Sequence, residues 1–434
     1  MRQGEHRRNA QPSPAGLTAR AGALALLDRV LVDGDVPEGA RLAGSHAERA
    51  EARSLADTTL RRLGEIDAII DRFVSRPPTG TGRQILRLMT GELVFAGTQP
   101  HAAVDLAVRL ARRSKRTSRL AGLTNAVGRK IAALPKTEQQ AVDGAARSTP
   151  EWLRRALTDN WGPDVAGRIM TAHLTPAPHD LTLKVVADAE PLAAETGGTL
   201  LPTGSVRLPG RPQISALPGF DRGAWWVQDA AAALPAQLFG DLAGRRVLDL
   251  CAAPGGKAMQ LAAAGANTVA VDRSVQRLER LKDNLSRTGL HLEVIAADAL
   301  EWQPEDMFDA ILLDAPCSAS GTIRRHPDLP HRTDGSGLAG LVDLQVRLLD
   351  RAFGMLSPGG TLVFCTCSLF RAEGEDIIAS FLERTPDAGA VPIGTSDAMP
   401  PEFVTGDGWL RTRPDHWAEL GHLDGFFAAR VTRG

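Results

Sequence analysis

Residues 248–257 read Leu-Asp-Leu-Cys-Ala-Ala-Pro-Gly-Gly-Lys, and this stretch decides the fold. An apolar run ends at Leu250, a turn with two adjacent glycines follows, and helical spacing resumes at Lys257. Glycines let the backbone approach a ligand closely, and the first turn of the next helix offers unpaired N–H groups to an anion. One such turn is a weak signal. Around it, however, the same alternation recurs. Apolar runs at 246–250, 268–272, 292–297, 310–314 and 361–365 read as strands, and 257–264, 275–287 and 341–356 read as helices between them. Strands apolar along their whole length, alternating with helices, imply an α/β domain: a Rossmann-like, doubly wound, mostly parallel sheet covered on both faces. Ligands of such sheets sit beyond the carboxyl ends of the strands.

The singular residues fall where that rule places them. Asp272 ends the second run, Asp298 follows the third and Asp314 ends the fourth. Each acid alone reads as a helix cap or loop charge. Three of them at successive strand ends point to a nucleoside-bearing ligand. The turn does not fit a dinucleotide fingerprint, whose first glycine would stand where Ala252 or Ala253 does. A turn with Pro254 and few close glycines suits a ligand without a pyrophosphate, such as S-adenosyl-L-methionine.

Two of the four cysteines lie just past strand ends, Cys317 in Asp-Ala-Pro-Cys-Ser (314–318) and Cys367 in Cys-Thr-Cys-Ser (365–368), while Cys251 opens the ligand turn. No pair has the C-x₂₋₄-C spacing of a structural zinc site, so no metal is expected. Cys365 reads as an inert thiol inside its strand. A Cys317–Cys367 disulfide fits the geometry but not a reducing compartment. Nucleophilic chemistry beside a methyl donor is what remains. Carbon 5 of cytosine is a poor nucleophile until a thiolate adds at carbon 6 and makes the ring enamine-like. An acid at the N3 and N4 edge promotes that addition, and nearby positive charge favours the thiolate. Asp314 is the candidate acid and Lys257 the nearest motif cation. The residues alone leave open which thiol attacks.

Farther out, residues 1–15 read as a disordered tail and 16–135 as an all-helical bundle, with apolar residues at three- and four-residue spacing. A polar linker follows, then a helix at 151–173 and a strand at 180–187, giving an α+β connector at 149–225 ahead of a catalytic domain at 226–434. The near-neutral total of −1 hides an asymmetry: 22 Lys/Arg face 13 Asp/Glu through Pro135. No acid occurs between Asp105 and Glu138, a window that holds Arg109, Arg112, Arg113, Lys115, Arg116 and Arg119. On helices such residues make a face suited to a phosphate backbone, although a solvated surface has the same composition. With 434 residues, 43% hydrophobic and 23% charged, wholesale disorder and collagen are excluded. No apolar run is long enough to span a bilayer and no secretory signal is evident, so a cytoplasmic protein without membrane attachment is expected. Tyr is absent, so an aromatic stacking platform is not the main means of reading RNA.

At these residues the chain resembles the Sun family of RNA cytosine-5 methyltransferases, and within it the bacterial small-subunit ribosomal RNA methyltransferase B type. The matching text is 248–257, AVD (270–272), AAD (296–298), LLDAPCSASGTIRRHPD (312–328), 348–368, GEDI (374–377) and DGFFAARV (424–431), with ALPGF (216–220) and WWVQDAAA (225–232) ahead of them. The bundle resembles the NusB-like RNA-binding domain of that subgroup. The resemblance implies that Cys367 is the nucleophile and that Cys317 serves breakdown of the covalent adduct and product release. It places S-adenosyl-L-methionine, and the product S-adenosyl-L-homocysteine, on Cys251, Ala252, Ala253, Pro254, Gly255, Gly256, Lys257, Asp272, Asp298 and Asp314. Asp272 would face the ribose and Asp298 the adenine. The implied substrate is a cytosine of small-subunit (16S) ribosomal RNA, naked or in an assembling particle; nothing in the sequence requires a dimer, so a monomer is expected. A non-catalytic RNA-binding assembly factor is the alternative from another class. A small-molecule methyltransferase leaves the basic bundle without a purpose, and a nicotinamide dehydrogenase leaves the cysteines unexplained.

Overall fold

The apolar spacing of the amino-terminal part produces the helices Leu17–Leu31, His46–Arg61, Leu63–Asp71, Thr81–Val94, Pro100–Arg112 and Ala121–Ala132. The structure, a computed structural model, describes residues 16–35, 40–139, 143–396 and 398–434, so the expected tail at 1–15 lies outside the described residues. Leu27, Ile66, Ile69, Ile70, Met89 and Ile131 are fully buried in one apolar core of this bundle. Ser45 and Glu48 close a reciprocal capping box at the start of the second helix. The segment expected to be a linker forms two short helices, Lys136–Gln139 and Gly144–Ser148. It packs because Gly144 lets it press on the Glu65 side chain and the Ser148 hydroxyl accepts from the Glu65 N–H. By its internal contacts the chain divides into two compact units, one of residues up to 154 with His326–Asp334, the other of Arg155–Arg325 with Gly335–Gly434. Within the first, His331 Nε2 hydrogen-bonds the Leu60 carbonyl at 3.0 Å and Trp152 Nε1 donates to the Pro330 carbonyl at 3.0 Å.

The helix Glu151–His173 runs as the sequence suggests, but Gly162, at φ 73°, and Pro163 break it internally. In the second unit a small antiparallel sheet holds β1 (Asp180–Leu183), β2 (Thr199–Leu200), β3 (Val206–Arg207) and β4 (Trp225–Val227) in the order β2-β3-β1-β4. The strand expected at 180–187 stops at Leu183, and a helical turn covers Val186–Asp188.

The large sheet contains β5 (Arg246–Leu250), β6 (Asn267–Asp272), β7 (Glu293–Ala296), β8 (Phe308–Asp314), β9 (Leu356–Thr366), β10 (Ala388–Ala390), β11 (Leu410–Thr412) and β12 (Phe426–Arg433). Its order is β10-β12-β9-β8-β5-β6-β7, with β11 on β12. The pairs among β5 to β9 are parallel, whereas β12 runs antiparallel to β9 and carries β10 and β11 antiparallel to itself. Successive residues serve opposite faces: Leu248, Leu250, Ile311, Leu313 and Phe364 enter one apolar cluster, and Val247, Ala310, Leu312, Val363 and Cys365 enter another. Strands buried on both sides are the reason their text is apolar throughout. The chain leaves β5 toward β6 and later returns to its other flank as β8. The reversal point of the strand order is therefore at the carboxyl end of β5, where such sheets hold ligands. Among the described residues no helix is long and apolar enough to cross a membrane.

Candidate active site

Beyond the end of β5 the backbone turns sharply. Cys251 adopts φ 62°, a left-handed conformation that costs a non-glycine residue energy, and Gly255 follows at φ 102°. A Cβ on Gly255 would lie 2.2 Å from Leu281 Cδ1, so this position needs both the conformation and the missing side chain. The turn is pinned from β6: Ala252 N–H donates to the Val271 carbonyl at 3.1 Å, and Ala253 N–H to Asp272 Oδ2 at 3.1 Å.

A cavity of about 380 Å³ opens past these strand ends. Cys251, Asp272, Arg277, Asp298 and Pro316 line it, together with apolar Val271, Ala297, Ala299, Leu344 and Leu348. Its size is within the range of small-ligand sites. An apolar slot with carboxylates at its edge fits an adenosine moiety, and this is the observation by which S-adenosyl-L-methionine fits these residues. Of the ten expected cofactor positions, this cavity gathers Cys251, Asp272 and Asp298. Asp272 is already well used: Oδ1 accepts from Ser274 N–H at 2.8 Å, and Oδ2 accepts from Arg277 at 2.7 Å as well as from Ala253. Asp298 also caps its own turn, accepting from Leu300 N–H at 2.9 Å. Its capping role and its place at the cavity coexist. Ala252 and Ala253 are buried in the turn and Pro254 is exposed.

Lys257 and Asp314 belong to a second cluster, beyond β8 and β9. Lys257 Nζ donates to Asp314 Oδ2 at 2.8 Å and lies 5.0 Å from the centre of the Phe426 ring. Burial disfavours the Lys257 charge, but Asp314 outweighs it and the ammonium is held more firmly than usual. Cys365 Sγ approaches Asp314 Oδ1 at 3.6 Å from within β9. The register pairs Asp314 with Cys365 on neighbouring parallel strands, so the loops that follow carry Cys317 and Cys367 out side by side. Their sulfurs are 3.4 Å apart, and both thiols are free and partly exposed. Contact with Cys367, then burial, pushes the Cys317 thiol well up, so it keeps its proton. Burial and the Asp272 charge push Cys251 up to about 12, which makes it inert at neutral pH. Burial likewise pushes Cys365 well up.

Several residues of the site escape a reading of the sequence. Asp249 is fully buried in β5, neither of its oxygens has a hydrogen-bond partner among the described residues, and burial followed by Asp314 raises its pKa well above the carboxylate range. Arg277 pairs with Asp272, and its signal is a cation in the first turn of the helix after that strand. Glu373 and Gln345, both fully buried, reach the loops that carry the cysteines. On the bundle, Arg109, Arg112, Arg113, Lys115, Arg116 and Arg119 are all exposed, along the end of Pro100–Arg112 and the turn after it. Arg109 is paired with Asp105 at 2.7 Å, so the acid at the edge of the basic window offsets its first cation.

Known proteins resemble the chain in both parts. Residues 239–432 match the family model for 16S rRNA methyltransferase RsmB/F, and residues 18–133 match the NusB family. Ribosomal RNA small subunit methyltransferase B of Salmonella paratyphi B is 36% identical over 404 residues, covering 89% of this chain and 91% of that one. The protein of the same name from Salmonella agona is equally similar, at 36% over 404 residues. Among solved structures, PH0851 covers 98% of this chain and 100% of its own at TM-score 0.75 and 23% identity, which shows a shared fold. A methyltransferase homologue from Pyrococcus horikoshii covers 64% of this chain and 94% of its own at TM-score 0.55 and 28% identity. With the Salmonella relative 36% identical over 89% of this chain and 91% of its own, the chain belongs to the RsmB/F family of 16S rRNA methyltransferases, with a NusB-family segment ahead of the catalytic one.

Proposed function

We propose that the chain methylates carbon 5 of a cytosine in small-subunit (16S) ribosomal RNA through a covalent adduct between Cys367 and carbon 6. The observation that carries this reading is the pair of sulfurs 3.4 Å apart beside the Lys257–Asp314 pair, at the strand ends next to a nucleoside-sized cavity. S-adenosyl-L-methionine, when bound, supplies an electrophilic methyl group and leaves as S-adenosyl-L-homocysteine. Cys251 and Asp298 would hold the nucleoside end in the cavity, with Asp272 at the ribose through the lone-pair capacity its backbone partners leave. The turn from Ala252 to Gly256 would bring its backbone up to the ligand.

The chain's own residues account for the rest. Cys367 adds to carbon 6 and the ring electrons move toward carbon 5. Asp314 meets the N3 and N4 edge, where hydrogen bonding favours addition, and Lys257 holds that carboxylate in place. After methylation water takes the carbon 5 proton, the electrons of that C–H bond re-form the 5,6 double bond, and the Cys367–carbon 6 bond breaks with its electron pair leaving on sulfur, restoring the aromatic ring. Cys317, a protonated thiol 3.4 Å from the Cys367 sulfur, serves that elimination by donating a hydrogen bond to the departing thiolate. The bundle, 16–135, supplies phosphate contacts through Arg112, Arg113, Lys115, Arg116 and Arg119, with Arg109 contributing less because of Asp105. The segments 149–225 and 226–434 act as connector and catalytic domain. The enzyme acts as a monomer in the cytoplasm and needs no metal.

Incubation with radiolabelled cofactor and unmodified 16S rRNA should yield 5-methylcytidine. Cys367→Ala should bring the yield below detection, and Cys317→Ala should leave a protein–RNA complex that survives denaturant. Full activity in Cys367→Ala would refute the nucleophile. RNA binding without methylation or cofactor binding would instead favour the assembly-factor alternative.

A further inference from the structure

The 3.4 Å separation of Cys317 and Cys367 needs an explanation, because each sits on its own loop past the end of the paired strands. Between the loops lies Glu373, at the end of the helical turn Arg371–Glu373 and fully buried. Its carboxylate receives four hydrogen bonds. Oε1 accepts from Ser318 N–H at 2.9 Å and Gln345 Nε2 at 3.0 Å. Oε2 accepts from Ser318 Oγ at 2.5 Å and Ser368 Oγ at 2.5 Å. Ser318 directly follows Cys317, and Ser368 directly follows Cys367. One carboxylate therefore grips the residue next to each thiol. Gln345 adds a second hold through the Pro316 carbonyl at 2.8 Å, and the Glu373 carbonyl accepts from Thr366 Oγ1 at 2.9 Å.

A carboxylate suits this place because it is an acceptor only, with about four lone-pair positions for four donors. A glutamine would turn an NH₂ group toward donors. A buried charge of this kind is poor evidence for stability, since well-packed apolar groups do as well. Its value lies in fixing geometry.

We propose that Glu373 is a positioning residue that joins the two cysteine loops and sets the distance between the two thiols. Its consequence for product release rests on the roles proposed for Cys367 and Cys317. Glu373 itself touches neither substrate nor cofactor.

The test separates geometry from catalysis. Diamide removes two hydrogens and two electrons from a thiol pair, which becomes a disulfide while the azo group becomes a hydrazine. On the full-length chain, the rate at which diamide forms the Cys317–Cys367 disulfide, read by peptide mass spectrometry, reports how close the sulfurs are held. Glu373→Gln should slow it about tenfold or more, in keeping with the cost of an ångström-scale misplacement. Ser318→Ala, which keeps the carboxylate, should slow it less. Both variants should lower kcat with little change in KM for RNA, and both should raise the fraction of enzyme trapped on RNA. Cross-linking at the wild-type rate in folded Glu373→Gln and Ser318→Ala would overturn the proposal. Slowed cross-linking, together with no trapped complex in Cys317→Ala, would uphold Glu373 as the spacer and overturn the release step instead.

Discussion

Asp314 is the residue on which most of the local chemistry converges. It accepts from Lys257, meets the Cys365 thiol and raises the pKa of buried Asp249. Asp314→Asn keeps the shape but leaves the buried ammonium without its counter-charge. The single-turnover methylation rate should fall about 10²-fold or more, the scale of a lost acid–base group. Rapid-quench measurement with 16S rRNA checks it, and an unchanged rate would remove Asp314 from the ring edge. The residues that the sequence singles out share one property: their singularity is local. A proline-cysteine pair or an acid at the end of an apolar run stands out by itself. Glu373 does not, because its meaning depends on serines 55 and 5 residues away. The GEDI motif even begins one residue after it. Asp272 carried a clear signal, yet its engagement by Arg277 and the turn backbone required coordinates.

Elements were legible where burial was uniform. The run 246–250 coincides with β5 because both faces of that strand are covered. β9 begins at Leu356 instead of 361, since Ser357-Pro358-Gly359-Gly360 reads as a turn and is accommodated by a register shift between Phe308 and Ala310 on β8. β12 shows in the sequence only as the DGFFAARV motif: Phe426 to Ala429 are all buried, so no alternation marks a strand. Its entry meets the Cys317 loop backbone to backbone. Gly425 N–H donates to the Gly321 carbonyl at 2.9 Å, and Gly321 N–H to the Cys367 carbonyl at 2.9 Å. A Cβ on Gly321 would stand 2.0 Å from the Gly425 carbonyl oxygen, where only backbone movement can relieve it. Gly321→Ala should therefore destabilise the catalytic part by about 3 kcal/mol, the upper end of overpacking costs, and reduce methylation with it. Urea midpoints compared with wild type decide this, and an unchanged midpoint would show that the two loops yield freely.

At the scale of the whole molecule, charge and acidity give two further expectations. Replacing Arg112, Arg113, Arg116 and Arg119 with Gln should weaken RNA binding and flatten its salt dependence by up to about one slope unit for each phosphate no longer neutralised. Affinity that is unchanged at every salt concentration would return the cluster to a solvated surface. Burial lowers the pKa of His179, His331, His416 and His422, with His416 brought to about 4. A histidine whose folded pKa lies below its unfolded value near 6.5 binds fewer protons when folded, so its contribution is intact above about 6.5 and is lost as pH falls toward 4. On the histidines' account Tm should drop between pH 7 and pH 5. His416 stacks on Phe403 at 5.1 Å with neither nitrogen partnered among the described residues, so His416→Phe should soften the drop by up to about 2 kcal/mol. Asp424, pushed up to about 7 by burial and Asp229, titrates in the opposite sense, which is why the comparison is made between variants.

The bundle is not assembled from one continuous piece of sequence, since residues 326–334 complete it. A ribosome makes the chain from its amino end, so the helices emerge long before the hydrogen bond from His331 to Leu60 or the one onto Pro330 can form. These two contacts of the bundle can form only after four of the eight strands of the large sheet, β5 to β8, have been translated. A gene fragment ended at codon 154 would retain the apolar core built from residues 17–131 and lack both of these hydrogen bonds.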